Sequence, residues 1–392
     1  MSYKIENMKG NWNYPTTVRF GVGRIQEIAA VCKGLGMKNP LLITDPGLAA
    51  LPMVTDIVAR CKADGLGCGV FSEIKPNPIG KNVDDGVAFY KAGKHDGVIA
   101  FGGGSGLDAA KAVALMVGQD RPLWDFEDVG DNWARADASK IAPIIAVPTT
   151  SGTGSEVGRA SVITQEETHL KKIIFHPKMM PSVVIDDPEL TVGLPAKLTA
   201  ATGMDALSHN LEAFCAPGYH PMADGIAVEG IRLIQKSLVQ AVQNGSDLVA
   251  RSDMMIASSM GATAFQKGLG GMHALAHPLG GIYDAHHGML NAVLMPYVLI
   301  ANRSVIEERA GYLARCLDLE TATFDAFLNW VLDLRSTLQI PNTLKEIGID
   351  LDRADEIGVL ATQDPSAGGN PIQFTAAEYA TILCKAVQGD LS

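Results

Sequence analysis

The stretch Asp96-Gly-Val-Ile-Ala-Phe-Gly-Gly-Gly-Ser-Gly-Leu-Asp108 decides the fold. Asp96 to Phe101 is a short apolar run of strand length, and it breaks into Gly102-Gly103-Gly104-Ser105. A helical pattern then runs from Leu107 to about Val117. A strand that ends in glycines and opens a helix lets backbone amides approach a phosphate, and the helix N-terminus adds partial positive charge. Gly104-x-Gly106-x-x-Ala109 also fits the dinucleotide fingerprint. It falls in the third strand–helix unit rather than the first, so the domain is Rossmann-like without being an ordinary Rossmann fold.

The flanking sequence repeats this grammar. Pro40 to Asp45 reads as a buried strand ending in an acid, with a helix from Leu48 to Asp64. Gly67 to Ser72 reads as a second strand, closed by Pro76-Asn77-Pro78, with a helix near 80–93. Ile144 to Val147 is a fourth strand and runs into Pro148-Thr149-Thr150-Ser151-Gly152-Thr153-Gly154. Strands separated by helices predict β-α-β units and a parallel sheet. Two loops of small and hydroxyl residues at strand ends predict a ligand over the carboxyl edge of that sheet. Asp45 can accept from a ribose diol and would repel a 2′-phosphate, which favours NAD over NADP. Asp108 and Lys111, in the first turns after the glycines, are expected to orient the cofactor, unless Lys111 is merely solvated.

The pattern changes after Pro181 to Pro188. From Leu194-Pro195 onward the periodicity is helical, with breaks at Gly or Pro. The reading is therefore an α/β dinucleotide-binding domain over 1–190 and an all-helical domain over 191–392. A chain of 392 residues exceeds the usual single core, so two domains are expected. The net charge of −11 excludes nucleic acid and anionic membranes as partners. The six cysteines form no C-x-x-C pair and read as reduced, mostly buried thiols of a cytosolic protein. The first residues show no apolar run behind a basic start, so no signal peptide is expected, and no run of eighteen apolar residues predicts a membrane span.

The second half carries most of the chain's nine histidines. His273, His277, His286 and His287 crowd into one short segment, and Asp205 and His209 stand four apart upstream. On a helix, residues i and i+4 share a face and can chelate one ion. Three imidazoles and one carboxylate would hold a divalent transition metal and leave an open position, as a catalytic site requires. Spacing alone does not choose among the four histidines. Pro278 disfavours helical geometry at His277, which separates its role from that of His273. Asp284 is a further candidate ligand, read rather as a turn residue.

These segments together resemble the iron-containing, or group III, alcohol dehydrogenase family, which includes lactaldehyde and 1,3-propanediol dehydrogenases. The matching pieces are Phe20-Gly-Val-Gly23, Thr44-Asp45, Pro76-Asn-Pro78, Gly102 to Asp108, Pro148 to Glu156, Gly203-Met-Asp-Ala-Leu-Ser-His209, Gly271-Met-His-Ala-Leu-Ala-His-Pro-Leu-Gly280 and His287-Gly288. The resemblance implies a dehydroquinate synthase-like fold with the active site in the cleft between the two domains. It implies Asp205, His209, His273 and His287 as metal ligands and His277 as the histidine that relays a proton. It implies cofactor contacts from Asp45, Asn77, Gly102, Gly103, Gly104, Ser105, Gly106, Leu107, Asp108, Thr149, Thr150, Ser151, Gly152, Thr153, Val162 and Lys171. His286 departs from the pattern, and the His-Gly step favours His287 as the ligand, leaving His286 a bystander.

The expected reaction is reversible hydride transfer between a short-chain primary alcohol or diol and NAD⁺. The ion, Fe²⁺ or alternatively Zn²⁺, acts as a Lewis acid, and His277 passes the proton. A homodimer or larger homo-oligomer in the cytoplasm is expected. Zinc-dependent polyol oxidation of the glycerol dehydrogenase type and hydroxyacid–oxoacid transhydrogenation are the enzymatic alternatives. A catalytically silent NAD-binding protein is the non-enzymatic one, and it would be marked by loss of a ligand or of the glycine loop.

Overall fold

The computed structural model describes residues 16–168 and 170–392. The expectation about a leader segment falls on the first residues and lies outside the described ones. Two compact units divide at Leu194/Pro195, a few residues from the boundary expected from the sequence.

The α/β unit carries a six-stranded, all-parallel sheet in the order β1 (Thr17–Phe20), β8 (Val183–Asp186), β5 (Ile144–Pro148), β4 (Val98–Gly102), β2 (Leu41–Ile43), β3 (Gly69–Phe71). The helices that join these strands are α1 (Ile28–Gly34), α2 (Pro46–Ala49), α3 (Pro52–Ala63), α4 (Gly80–Ala92) and α5 (Gly104–Met116). The central strands β2, β4 and β5 are buried along their whole length, as a sheet covered by helices on both faces requires. From β2 the chain goes to β3 on one side and then crosses to β4 on the other. That reversal makes a switch point at the carboxyl ends of β2 and β4, where open α/β sheets bind ligands. Thr44-Asp45 follows β2 and the glycine loop closes β4, which is the fourth strand of the sheet once β1 is counted, so both border the switch.

Several elements differ from the sequence reading. The helix expected over 48–64 is two helices, because Pro52 breaks the hydrogen-bond ladder and starts α3 at its N1 position. Helix α5 begins at Gly104 rather than Leu107, since the glycines are themselves its first turn. The antiparallel hairpin of β6 (Ala160–Gln165) and β7 (Leu170–Phe175), edge strand β1 and strand β8 have no counterpart among the strands expected from the sequence. The hairpin lacks an Asn-Gly or Asp-Gly turn, and β1 is a four-residue edge strand of mixed polarity.

The second unit is helical among its described residues. It contains α6 (Ala196–Cys215), α7 (Pro221–Gln243), α8 (Leu248–Ala264), α9 (Gly271–Tyr283), α10 (His287–Cys316), α11 (Phe324–Thr337), α12 (Ala354–Gln363) and α13 (Ala376–Gln388). Helix α10 is long and apolar enough to cross a membrane, with a mean hydropathy of 1.4, but 72% of that window is buried against the rest of the protein. It is the core helix around which α6, α9, α11 and α13 pack. Gly288 explains how α10 comes so close to α6, because a Cβ there would lie 2.5 Å from the Ala201 carbonyl oxygen and 3.1 Å from Asp205 Cβ.

Candidate functional site

In the α/β unit the expected cofactor residues converge at the switch point. Gly102 adopts φ +140°, which side chains disfavour, and turns the chain off β4. Its carbonyl accepts from Thr149 N at 3.0 Å, which ties the glycine loop to the threonine loop after β5. A Cβ on Gly103 would meet Thr150 at 3.3 Å, and one on Gly104 would lie 2.6 Å from Thr153 Cγ2. The two loops are thus in van der Waals contact. Gly106 faces the Phe101 carbonyl, and Leu107 is buried in the core of the unit. Ser105 Oγ donates to the Pro76 carbonyl and so brings the Pro76-Asn77-Pro78 loop to the same edge. The hydroxyls of Thr44 and Ser151 are buried without a hydrogen-bond partner. Ser151 and Gly152 are buried, while Thr150 and Thr153 are half-buried.

Asp45 caps α2, with Oδ1 accepting from Leu48 N at 3.0 Å, and Oδ2 would lie 3.8 Å from a Cβ on Gly102. The carboxylate therefore has a local structural task and also borders the glycine loop. Asp108 and Lys111 serve the protein scaffold. Asp108 accepts from Ser155 Oγ at 2.5 Å and from Val162 N at 2.9 Å, which fastens the β6–β7 hairpin to α5. Lys111 is not solvated: it is 1% exposed and donates to the carbonyls of Ser155 and Ala160 at 2.9 and 2.5 Å. Burial pushes its pKa down, only partly opposed by Asp108 and Glu156. Val162 and Lys171 lie on the hairpin, and Thr164 N, opposite Lys171, bonds to the Pro78 carbonyl at 2.7 Å.

In the helical unit, α6 presents Asp205 and His209 one turn apart, α9 presents His273, and α10 opens on His287. One ligand atom from each lies within 4.8 Å of the others, and all but half-buried His287 are buried. Tetrahedral coordination at 2.0–2.2 Å places ligand atoms roughly 3.5 Å apart, so the set fits one divalent ion. The His209 and His273 rings stack at 4.7 Å, and His273 lies 5.3 Å from His287.

Three further residues complete this centre, and the sequence reading missed them. Glu212, on the same face of α6, accepts from Gly270 N and Met272 N at 2.8 and 2.7 Å and meets His273 Nδ1 at 2.6 Å. That contact turns His273 Nε2 toward the other ligands, the usual outer partner of a metal-bound imidazole. Burial alone would push His273 down, but Glu212, and behind it Asp205 and Asp364, raise it overall, and the same negative field favours a divalent cation. Asp364, after α12, meets His277 Nδ1 at 2.7 Å. Burial would raise the Asp364 carboxyl, but the His277 ring and Ser366 outweigh it and hold it below the usual range. Asn291, one turn beyond His287, contacts Asp205, His273 and His287. The spacings Asp205-His209-Glu212 and His287-Asn291 were helical signals available in the sequence, whereas nothing local marks Asp364.

His277 lies in the interior of α9 despite Pro278, contrary to the expectation of non-helical geometry. The proline ring removes one donor but leaves the helix continuous through Tyr283. One turn from His273 and stacked on His287 at 5.3 Å, His277 borders the ligand set while its Nδ1 is engaged by Asp364. His286 is exposed and caps α10, its Nδ1 accepting from Met289 N at 3.3 Å, so it has a structural task. Asp284 is the C-cap of α9 in the left-handed region, a turn residue.

Comparison with known proteins gives the family of the chain. Residues 15–188 match the family model "Iron-containing alcohol dehydrogenase", and residues 199–387 match "Fe-containing alcohol dehydrogenase family, C-terminal". The 4-hydroxybutyrate dehydrogenase of Cupriavidus necator is 39% identical over 94% of this chain and 98% of its own length. A crystal structure of a 1,3-propanediol oxidoreductase superposes with a TM-score of 0.91 at 35% identity, covering 96% of this chain and all of the other. The sulfoacetaldehyde reductase of Bifidobacterium kashiwanohense, solved in complex with NAD⁺, superposes at 0.87 with 29% identity, covering 98% of this chain and all of the other. The chain belongs to the iron-containing alcohol dehydrogenase family. It is an oxidoreductase of NAD-linked alcohol–aldehyde interconversion, with a divalent metal and a nicotinamide cofactor.

Proposed function

We propose that the protein reversibly oxidises a short-chain primary alcohol or diol to its aldehyde, with NAD⁺ in preference to NADP⁺ and Fe²⁺ in preference to Zn²⁺. The observation that carries this reading is the set of Asp205, His209, His273 and His287, whose donors lie within 4.8 Å of one another. These four residues would hold the ion, and Glu212 orients His273. When bound, the metal supplies Lewis-acid polarisation of the alcohol oxygen and the nicotinamide accepts the hydride.

The roles of the remaining residues follow from their chemistry. His277, with Nδ1 held by Asp364, has Nε2 left to take the alcohol proton and return it. Gly102 to Leu107 and Thr149 to Thr153 would bind the diphosphate through backbone amides and hydroxyls, with Asp108 holding the loops in register. Asn77, Val162 and Lys171 would complete the cofactor's surroundings. The negative charge of Asp45 beside the glycine loop supports NAD over NADP. The family's name supports iron, although this ligand set also accepts zinc. Six free cysteines suit a reducing cytoplasm. Exposed Val18 and Phe20 on edge strand β1 support a homodimer or larger homo-oligomer.

The relatives are named for substrates that differ in second functional group and, in one case, for long-chain alcohols, so a panel is the test. NADH formation is measured with ethanol, 1-butanol, 1,3-propanediol and 4-hydroxybutyrate after loading with Fe²⁺ or Zn²⁺. Turnover is expected on at least one of these, fastest with Fe²⁺. No turnover in any combination would refute the reading, and a rate with NADP⁺ equal to that with NAD⁺ would remove the role given to Asp45.

A further inference from the structure

The geometry points to Asn291 as a positioning residue of the metal centre, the group that orients Asp205 and closes one face of the ligand set. This inference rests on the metal-site reading above. Asn291 is fully buried on α10, one turn beyond His287. Its Nδ2 lies 2.8 Å from Asp205 Oδ1, 3.2 Å from His273 Nε2 and 3.2 Å from His287 Nε2. Three of the four candidate ligands, carried by three different helices, therefore meet at a single amide nitrogen.

The direction of the amide follows from its neighbours. Asp205 Oδ1 belongs to a carboxylate and can only accept, so the N–H side of the amide faces it. The turned amide would set its oxygen against the Asp205 oxygen. The cost appears at the other end of the side chain, where Asn291 Oδ1 is buried without a hydrogen-bond partner. An orphaned carbonyl of this kind is costly, and a leucine, with the same branching, would carry no unsatisfied polar atom. Packing therefore does not account for an amide here, whereas holding the ligands does. An imidazole nitrogen that gives its lone pair to a metal has none left for Asn291. The bond to Asp205 is the one compatible with a loaded site, and it fixes the only carboxylate of the set. Outer partners of metal ligands typically contribute about 10–100-fold to affinity.

The test compares wild-type protein with Asn291→Leu and Asn291→Ala after chelator treatment. Dissociation constants for Zn²⁺ and Co²⁺ are measured by competition with a chromophoric chelator, and the visible spectrum of the Co²⁺ form is recorded. Both variants are expected to bind roughly 10–100-fold more weakly and to show a shifted Co²⁺ spectrum, with the far-ultraviolet circular dichroism of the wild type. Wild-type affinity and spectrum in either variant would overturn the inference. So would loss of the helical spectrum in both, which would make Asn291 a packing residue. Failure of the wild type itself to bind either ion would instead refute the metal-site reading, and this inference with it.

Discussion

His273 and His277 are one helical turn apart on α9, yet each Nδ1 meets a different carboxylate, which on the proposed reading separates their tasks. Glu212 turns His273 into the ligand set, and Asp364 holds His277 beside it. His273→Ala should therefore lose bound metal, measured by elemental analysis of anaerobically purified protein. His277→Ala should keep metal and lose about 10²–10⁴-fold in kcat, the usual share of a positioned acid–base group. A metal-free H277A protein would overturn this division. Asp364→Asn tests the same pair through stability. The Asp364 carboxyl is held below its unfolded value, so its contribution is present above about pH 4 and lost as pH falls through the lowered value. The melting temperatures of wild type and D364N should thus differ at pH 7 and converge on acidification, and a gap unchanged down to pH 3 would count against the pairing. The i+4 partners of this site were legible in the sequence because helical geometry is local. Asp364 was not, because it comes from a loop 87 residues away in sequence.

At the scale of elements, close approach sets both halves of the chemistry. Gly288 lets α10 seat on α6 at Ala201 and Asp205, which brings His287 to Asp205. Gly288→Ala should cost roughly 1–3 kcal/mol by overpacking and weaken metal binding with it, both followed by thermal melts with and without Zn²⁺. Full retention of metal affinity would show that the helix contact does not set the ligand geometry. Gly104 plays the corresponding part between the loops. Gly104→Ala should weaken NADH binding, read by fluorescence titration, and Thr153→Ala in the same chain should restore part of it, because Thr153 Cγ2 is the atom struck. The central strands and their helices were readable, since burial on both faces leaves continuous apolar runs. The β6–β7 hairpin was not readable, because its anchoring by Asp108 and the Pro78 carbonyl is tertiary.

For the molecule as a whole, the proposed cofactor elements belong to one unit and the candidate metal ligands to the other, each with its own hydrophobic core. A ligand at a hundredfold excess over its Kd stabilises what binds it by about 2.7 kcal/mol. In hydrogen exchange followed by mass spectrometry, metal should first protect α6, α9 and the start of α10. NADH added in chelator should first protect residues 102–108 and 149–154. Protection of the glycine loop by metal alone, with none in α6, would contradict the assignment. By itself the sequence determined the two-domain order, the parallel sheet, the strand-end loops and the candidate metal-ligand set, because hydrophobic period, glycine sterics and ligand type are properties of neighbouring residues. Only the tertiary structure decided that the glycine loop borders the switch point of the sheet, which carboxylate meets each histidine, and that Lys111 is buried within the scaffold. Those outcomes depend on strand order and on side chains far apart in sequence, which no local spacing encodes.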